Sequence, residues 1–61
     1  MTSPYRTLQK LTRETGKLAS RAEAAAYKCE RGEQSDTELT SLVERMQTTA
    51  AQAAEALEGL A

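Results

Sequence analysis

The sequence predicts an all-α protein, an antiparallel helical hairpin that dimerises into a four-helix bundle. Two long stretches carry apolar residues at alternating steps of three and four, which is the spacing of a heptad seam. Start and stop signals bound both stretches, and only a few residues separate them. The chain has 61 residues, enough for one small domain over residues 1–61.

Helix 1 is predicted over about residues 4–31. Ser3 precedes Pro4, and a serine N-cap followed by proline in the first helical position is a common helix start. Gly32 can adopt the left-handed conformation that closes a helix. Gly16 is the one residue inside helix 1 that disfavours a helix, because glycine lowers helix stability. The sequence therefore leaves open whether helix 1 is kinked there.

The second helix follows a short connection, residues 32–35, and is predicted over about residues 36–58. Ser35 and Glu38 have the spacing of a capping box, although Asp36 could cap instead. Because so short a connection cannot hold the helices apart, they should fold back on each other as an antiparallel pair.

Each predicted helix carries a seam of apolar and small residues, which we expect to serve both helix packing and self-association. In helix 1 the seam comprises Leu8, Leu11, Thr15, Leu18, Ala22, Ala25 and Cys29. In helix 2 it comprises Leu39, Val43, Met46, Ala50, Ala53, Leu57 and Leu60, broadened by Leu42, Thr49 and Ala56. Near the turn, small residues of helix 1 should face large residues of helix 2, and this complementarity supports a hairpin.

The composition predicts a thin core. Hydrophobic residues make up 39% of the chain, but alanine is the commonest of them, and Phe and Trp are absent. One hairpin would leave much of both seams exposed, so we expect a homodimer first, and an unidentified protein partner as the alternative.

Charge is divided unevenly between the helices. Residues 1–31 hold seven basic and three acidic side chains, a balance of +4, whereas residues 32–61 hold one basic and six acidic side chains, a balance of −5, giving the net −1. Helix 1 of one copy could therefore lie beside helix 2 of another.

A basic face on helix 1 is the second candidate surface. Its cations recur at steps of four, three and four, away from the seam, and a tyrosine lies further along the helix. This face could bind phosphates of RNA or DNA, or it could be an ordinary solvated surface. The residues of this candidate face are Arg6, Lys10, Arg13, Lys17 and Tyr27.

The residue types argue against catalysis. The chain has no histidine and one cysteine, so imidazole catalysis and a thiolate metal cluster are excluded within one copy. Cys29 is interpreted as a small apolar seam residue. We expect no cofactor, metal, small-molecule substrate or membrane association, and a cytoplasmic location.

In size, hairpin layout, heptad seams and short turn, the chain resembles the Rop-type plasmid regulators, small dimeric four-helix bundles that bind paired RNA loops. The resemblance covers architecture and no motif. The leading functional hypothesis is a non-catalytic helical interaction or regulatory protein that self-associates and binds, inhibits or scaffolds a macromolecule. The alternative is a dimeric RNA- or DNA-binding regulator that uses the basic face.

Overall fold

A computed structural model describes residues 3–60 of the chain. It contains two α-helices, α1 from Pro4 to Glu30 and α2 from Thr37 to Glu58, which pack against each other. The predicted helical hairpin is therefore confirmed for this part of the chain, while the first two residues and the last lie outside it. The molecule is a narrow rod with principal extents of 46 × 15 × 14 Å.

Local capping fixes the start of α1. Ser3 has an extended backbone, and its hydroxyl oxygen accepts a hydrogen bond from the Tyr5 N–H at 3.3 Å. Pro4 occupies the first helical position, where its missing N–H loses no intrahelical bond. The predicted N-cap at Ser3 is confirmed.

A Schellman motif ends α1. Gly32 adopts a φ of 76°, a left-handed conformation that costs a residue with a side chain about 1–2 kcal/mol. The Glu33 N–H donates to the Lys28 carbonyl at 2.9 Å, and the Gly32 N–H donates to the Cys29 carbonyl at 3.1 Å. These two bonds satisfy carbonyls that the end of the helix would otherwise leave without partners.

Of the two caps predicted for α2, the structure has the alternative, Asp36, at the N-cap position, although its side chain makes no capping hydrogen bond. The predicted capping box is wrong because α2 begins at Thr37, which leaves Ser35 outside the cap, where its hydroxyl bonds the Thr37 hydroxyl at 3.3 Å. Glu38 stays in the first turn, where its charge favours the positive end of the helix dipole.

The core is small and lies near the turn. Two residues that pack against it, Leu39 and Met46, are half-buried. Small residues of α1 thus pack against large residues of α2, as the sequence predicted for this end of the hairpin. The buried residues are Leu18, Ala22, Ala25 and Leu42.

The phase of α1 matches its predicted seam, but the phase of α2 does not. Every predicted seam residue of α1 is buried or half-buried. In α2, however, Val43, Ala50 and Leu57 are exposed, so they do not pack against α1 within the hairpin; their role in self-association stays a prediction. The residues predicted to broaden the seam of helix 2 are the ones buried or half-buried there: Leu42, Thr49 and Ala56.

Two threonines occupy the middle of the seams. The Thr15 hydroxyl donates to the Leu11 carbonyl at 2.9 Å, and the Thr49 hydroxyl donates to the Arg45 carbonyl at 2.9 Å. Each hydroxyl is thus satisfied within its own helix, which makes a half-buried polar residue tolerable here. The two threonines separate the core near the turn from the open end, where the seam residues are only half-buried.

Candidate functional site

The two long edges of the hairpin, beside the seams, have different chemistry. On one edge, Glu14 and Arg21 of α1 lie with Arg45 of α2 around a shallow depression. A second depression on this edge joins Glu14 to Gln52, and a third joins Arg21 and Lys28 to Glu38. We call this the charged edge: Glu14, Arg21, Lys28, Glu38, Arg45 and Gln52.

The opposite edge carries small and apolar residues. On both helices, the charged-edge residues come one position before every second seam residue. The residues one position after the intervening seam residues therefore share the other edge. The N-cap of α2, Asp36, bounds this edge at the turn. We call it the apolar edge, and all its members are exposed: Tyr5, Thr12, Ala19, Ala26, Val43, Ala50 and Leu57.

The apolar edge concentrates the large exposed apolar side chains. Tyr5 is 64% exposed, Leu57 is 61% exposed and Val43 is 39% exposed. Of the exposed large hydrophobic residues in the described part of the chain, only Tyr27 lies elsewhere. Isolated apolar side chains on a surface are ordinary, but these three share one edge of the hairpin.

Part of the apolar edge coincides with the seam predicted for helix 2. Val43, Ala50 and Leu57 belong to the predicted seam of helix 2. Thr12, Ala19 and Ala26 were missed, although each follows a seam residue of helix 1 by one position. That one-position offset was the signal that could have found them.

Cations of the predicted basic face are brought together by α1. The side chains of Arg6, Lys10, Arg13 and Lys17 line one depression, to which Glu14 also contributes. Within residues 3–60, the ion pair that forms is elsewhere, between Arg31 and Glu33. Among the residues that the structure describes, no carboxylate therefore lies within ion-pair distance of the four cations, so an anion could approach them.

Tyr27 is not part of that cluster. It lies ten residues beyond Lys17 on α1, about 15 Å along the helix axis. The Arg31 guanidinium carbon lies 5.5 Å from the Tyr27 ring centroid, and its Nη1 lies 3.4 Å from the phenolic oxygen. Arg31 also pairs with Glu33 at 3.4 Å. One face of the ring is therefore covered by a cation within the chain.

The other predicted seam residues are buried or half-buried, so they pack within the hairpin. Buried are Leu18, Ala22, Ala25 and Leu42; half-buried are Leu8, Leu11, Cys29, Leu39, Met46, Ala53 and Leu60.

The side chains that could bind a metal ion or act as a nucleophile are dispersed. In the described range, no three Cys, Asp or Glu residues lie close enough to hold a metal ion. The free thiol of Cys29 is half-buried and donates a hydrogen bond to the Ser35 carbonyl. Across residues 3–60, neither helix contains an apolar stretch long enough to cross a bilayer.

No protein-family model, curated protein or solved structure matches this chain.

Proposed function

We propose that this chain is a small non-catalytic helical interaction protein, which self-associates into a four-helix bundle and binds, inhibits or scaffolds another macromolecule. The apolar edge carries this proposal, because it aligns Tyr5, Val43 and Leu57 on one side of the hairpin in exposed positions. The outward faces of the helices then remain for a further partner.

The size of the core supports self-association. The buried residues of the described part are two leucines and two alanines, and no side chain there is less than 2% exposed. A chain of about 60 residues buries too little surface to be more than marginally stable alone. Covering the apolar edge would extend the core across both copies.

The exposed area agrees with that interpretation. The chain exposes 4810 Å², whereas a compact monomer of this mass would expose about 3900 Å². The excess of about 900 Å² is close to the roughly 800 Å² that each partner buries in a standard protein interface. The rod has enough spare surface for one such contact.

A non-catalytic role in the cytoplasm fits the available side chains. In the described part of the chain, the shallow depressions are lined mainly by charged and polar side chains, and their linings do not include Cys29. The single cysteine is a free thiol, which suits a reducing compartment.

Sedimentation equilibrium with circular dichroism tests the proposal. The reduced protein should be helical and sediment at twice the chain mass of 6.6 kDa. Leu57→Glu and Val43→Glu should each weaken dimerisation at least tenfold, because a charge would be buried at the interface. Ala51→Glu, an exposed position of α2 away from the apolar edge, is the matched control and should have little effect. A fully helical monomer at every concentration would contradict the proposal.

Nucleic-acid binding by the basic face is the second candidate function. The observation in its favour is that four neighbouring cations of α1 lack an ion-pair partner among the described residues. Binding of a labelled RNA stem-loop should then weaken with salt, with a log–log slope of about −3 to −4 if all four cations contact phosphates.

A charge-reversal pair separates this function from a solvated surface. Arg13→Glu with Lys17→Glu should abolish the salt-dependent binding, while Lys28→Glu, on the charged edge, should reduce it only slightly. Equal affinity in the wild type and the double variant would remove this candidate.

A further inference from the structure

We infer that the partner on the apolar edge is a second copy with its ends reversed, and that α1 of each copy crosses the other at Gly16. In this arrangement the turn of one hairpin lies beside the open end of the other. The inference rests on the proposed self-association and specifies its geometry.

The apolar edge is graded in size from the open end to the turn. Members of one helix are seven residues apart, so they form successive layers about 10.5 Å apart. The antiparallel pairing places Tyr5 with Leu57 in the first layer, Thr12 with Ala50 in the second, Ala19 with Val43 in the third, and Ala26 with Asp36 in the fourth. Both large exposed side chains thus lie at the open end, at 64% and 61% exposure.

A two-fold contact between identical edges allows two arrangements. If the ends coincide, α1 faces α2, so Tyr5 meets Leu57 of the other copy at one end, and the smaller Ala26 and Asp36 meet at the other end. If the ends are reversed, Tyr5 lies against Ala26 and Leu57 against Asp36 of the other copy, and the second layer lies against the third. Close packing requires large side chains to face small ones, so it favours reversed ends.

Gly16 lies at the centre of the reversed arrangement. The midpoint of the four layers falls between Thr12 and Ala19, which is where the two-fold axis must pass. A Cβ built on Gly16 would meet nothing within 4 Å, so packing within the hairpin gives no reason for a glycine inside α1. Without a side chain, the two copies of α1 can approach closely at this point.

Surface charge does not oppose this geometry. Coinciding ends would bring basic α1 beside acidic α2 of the second copy, but the basic face is exposed and turned away from the apolar edge. Charges in such positions interact weakly through solvent. Close to the axis, Gln9 and Glu23 lie seven residues either side of Gly16, so reversal pairs an amide with a carboxylate of the other copy.

Disulfide trapping in a Cys29→Ala background distinguishes the two arrangements. With reversed ends, α1 faces α1 and α2 faces α2, so copper-phenanthroline should cross-link Gly16→Cys to itself and Gln47→Cys to itself. A mixture of the two variants should then give little mixed product. With coinciding ends, α1 faces α2, and the mixed product should dominate.

A substitution at the crossing gives a second readout. Gly16→Leu should raise helicity per chain, because leucine favours helix more than glycine, yet should weaken dimerisation at least tenfold. Ser20→Leu, exposed on the back of α1, is the control and should leave dimerisation unchanged.

The outcomes separate this inference from the proposed function. A dimer that gives the mixed product, or no cross-link at residue 16, overturns the reversed geometry and leaves self-association standing. A helical monomer at all concentrations overturns both. Self-cross-linking at residue 16, with loss of dimer in Gly16→Leu, supports both.

Discussion

The Cys29 thiol donates a hydrogen bond to the Ser35 carbonyl oxygen at 3.4 Å, and so joins the last turn of α1 to the connection. The thiol belongs to the seam within one hairpin, where it is half-buried. It is therefore directed at its own chain.

The contact between Cys29 and Ser35 predicts that the Cys29 thiol reacts slowly with thiol reagents. Reaction of Cys29 with a thiol reagent under native conditions should be at least several-fold slower than in urea, because access requires the seam to open. Ser20→Cys in a Cys29→Ala background offers an exposed thiol on the back of α1 for comparison and should react equally fast in both conditions. Equal native rates for the two thiols would show that Cys29 is not protected.

The left-handed conformation of Gly32 predicts a cost for any side chain. Gly32→Ala should lower the free energy of unfolding by about 1–2 kcal/mol, since alanine resists a positive φ. Gly59→Ala is the matched control, because Gly59 has a φ of −65° and an added Cβ would make only ordinary contacts. Urea titration followed by circular dichroism measures both, and a neutral Gly32→Ala would contradict the motif that ends α1.

The two helix starts predict different responses to loss of a cap. Ser3→Ala should cost about 0.5–2 kcal/mol, because the Ser3 hydroxyl accepts the Tyr5 N–H. Asp36→Ala should cost less, because the Asp36 side chain makes no capping bond. Thermal unfolding followed by circular dichroism compares them, and a larger loss in Asp36→Ala would reverse the assignment.

Neighbouring residues of α2 should differ sharply in their contribution to folding. Leu42 is 3% exposed and Val43 is 39% exposed. Leu42→Ala should lower the free energy of unfolding by about 2–5 kcal/mol. Val43→Ala should cost less than about 1 kcal/mol when measured below the dimerisation range. Comparable losses from the two variants would mean that the phase of α2 is not the one described.

Much of the fold follows from sequence because its determinants are local. The proline start at Pro4 and the glycine stop at Gly32 act within one turn of helix, and they fix α1 to within one residue of its prediction. The seam of α1 is also unambiguous, because the residues next to its leucines are charged or polar, except for Ala19.

The phase of α2 is harder to predict because the relevant information is not local. Leu42 and Val43 are adjacent and both apolar, as are Ala56 and Leu57, so two seams with the same spacing coexist on one helix. Tertiary packing against α1 selects one of them, and no count along the sequence distinguishes them.

The two candidate surfaces also differ in how far the sequence predicts them. The basic face was found because Arg6, Lys10, Arg13 and Lys17 lie on one helix, whose geometry is known in advance. The apolar edge requires residues from both helices, such as Ala19 and Val43, so it could be recognised only once their relative rotation was known.

The two stripes of α2 make its inner and outer surfaces nearly interchangeable. A rotation of about 100° around its own axis would bring Val43, Ala50 and Leu57 inward and turn Leu42, Thr49 and Ala56 out, with little change in apolar character. Packing against α1 selects between these states, because the two stripes differ little in apolar character. A substitution that favoured the other stripe would therefore turn a different surface of α2 outward, with the connection and the sequence of α1 intact.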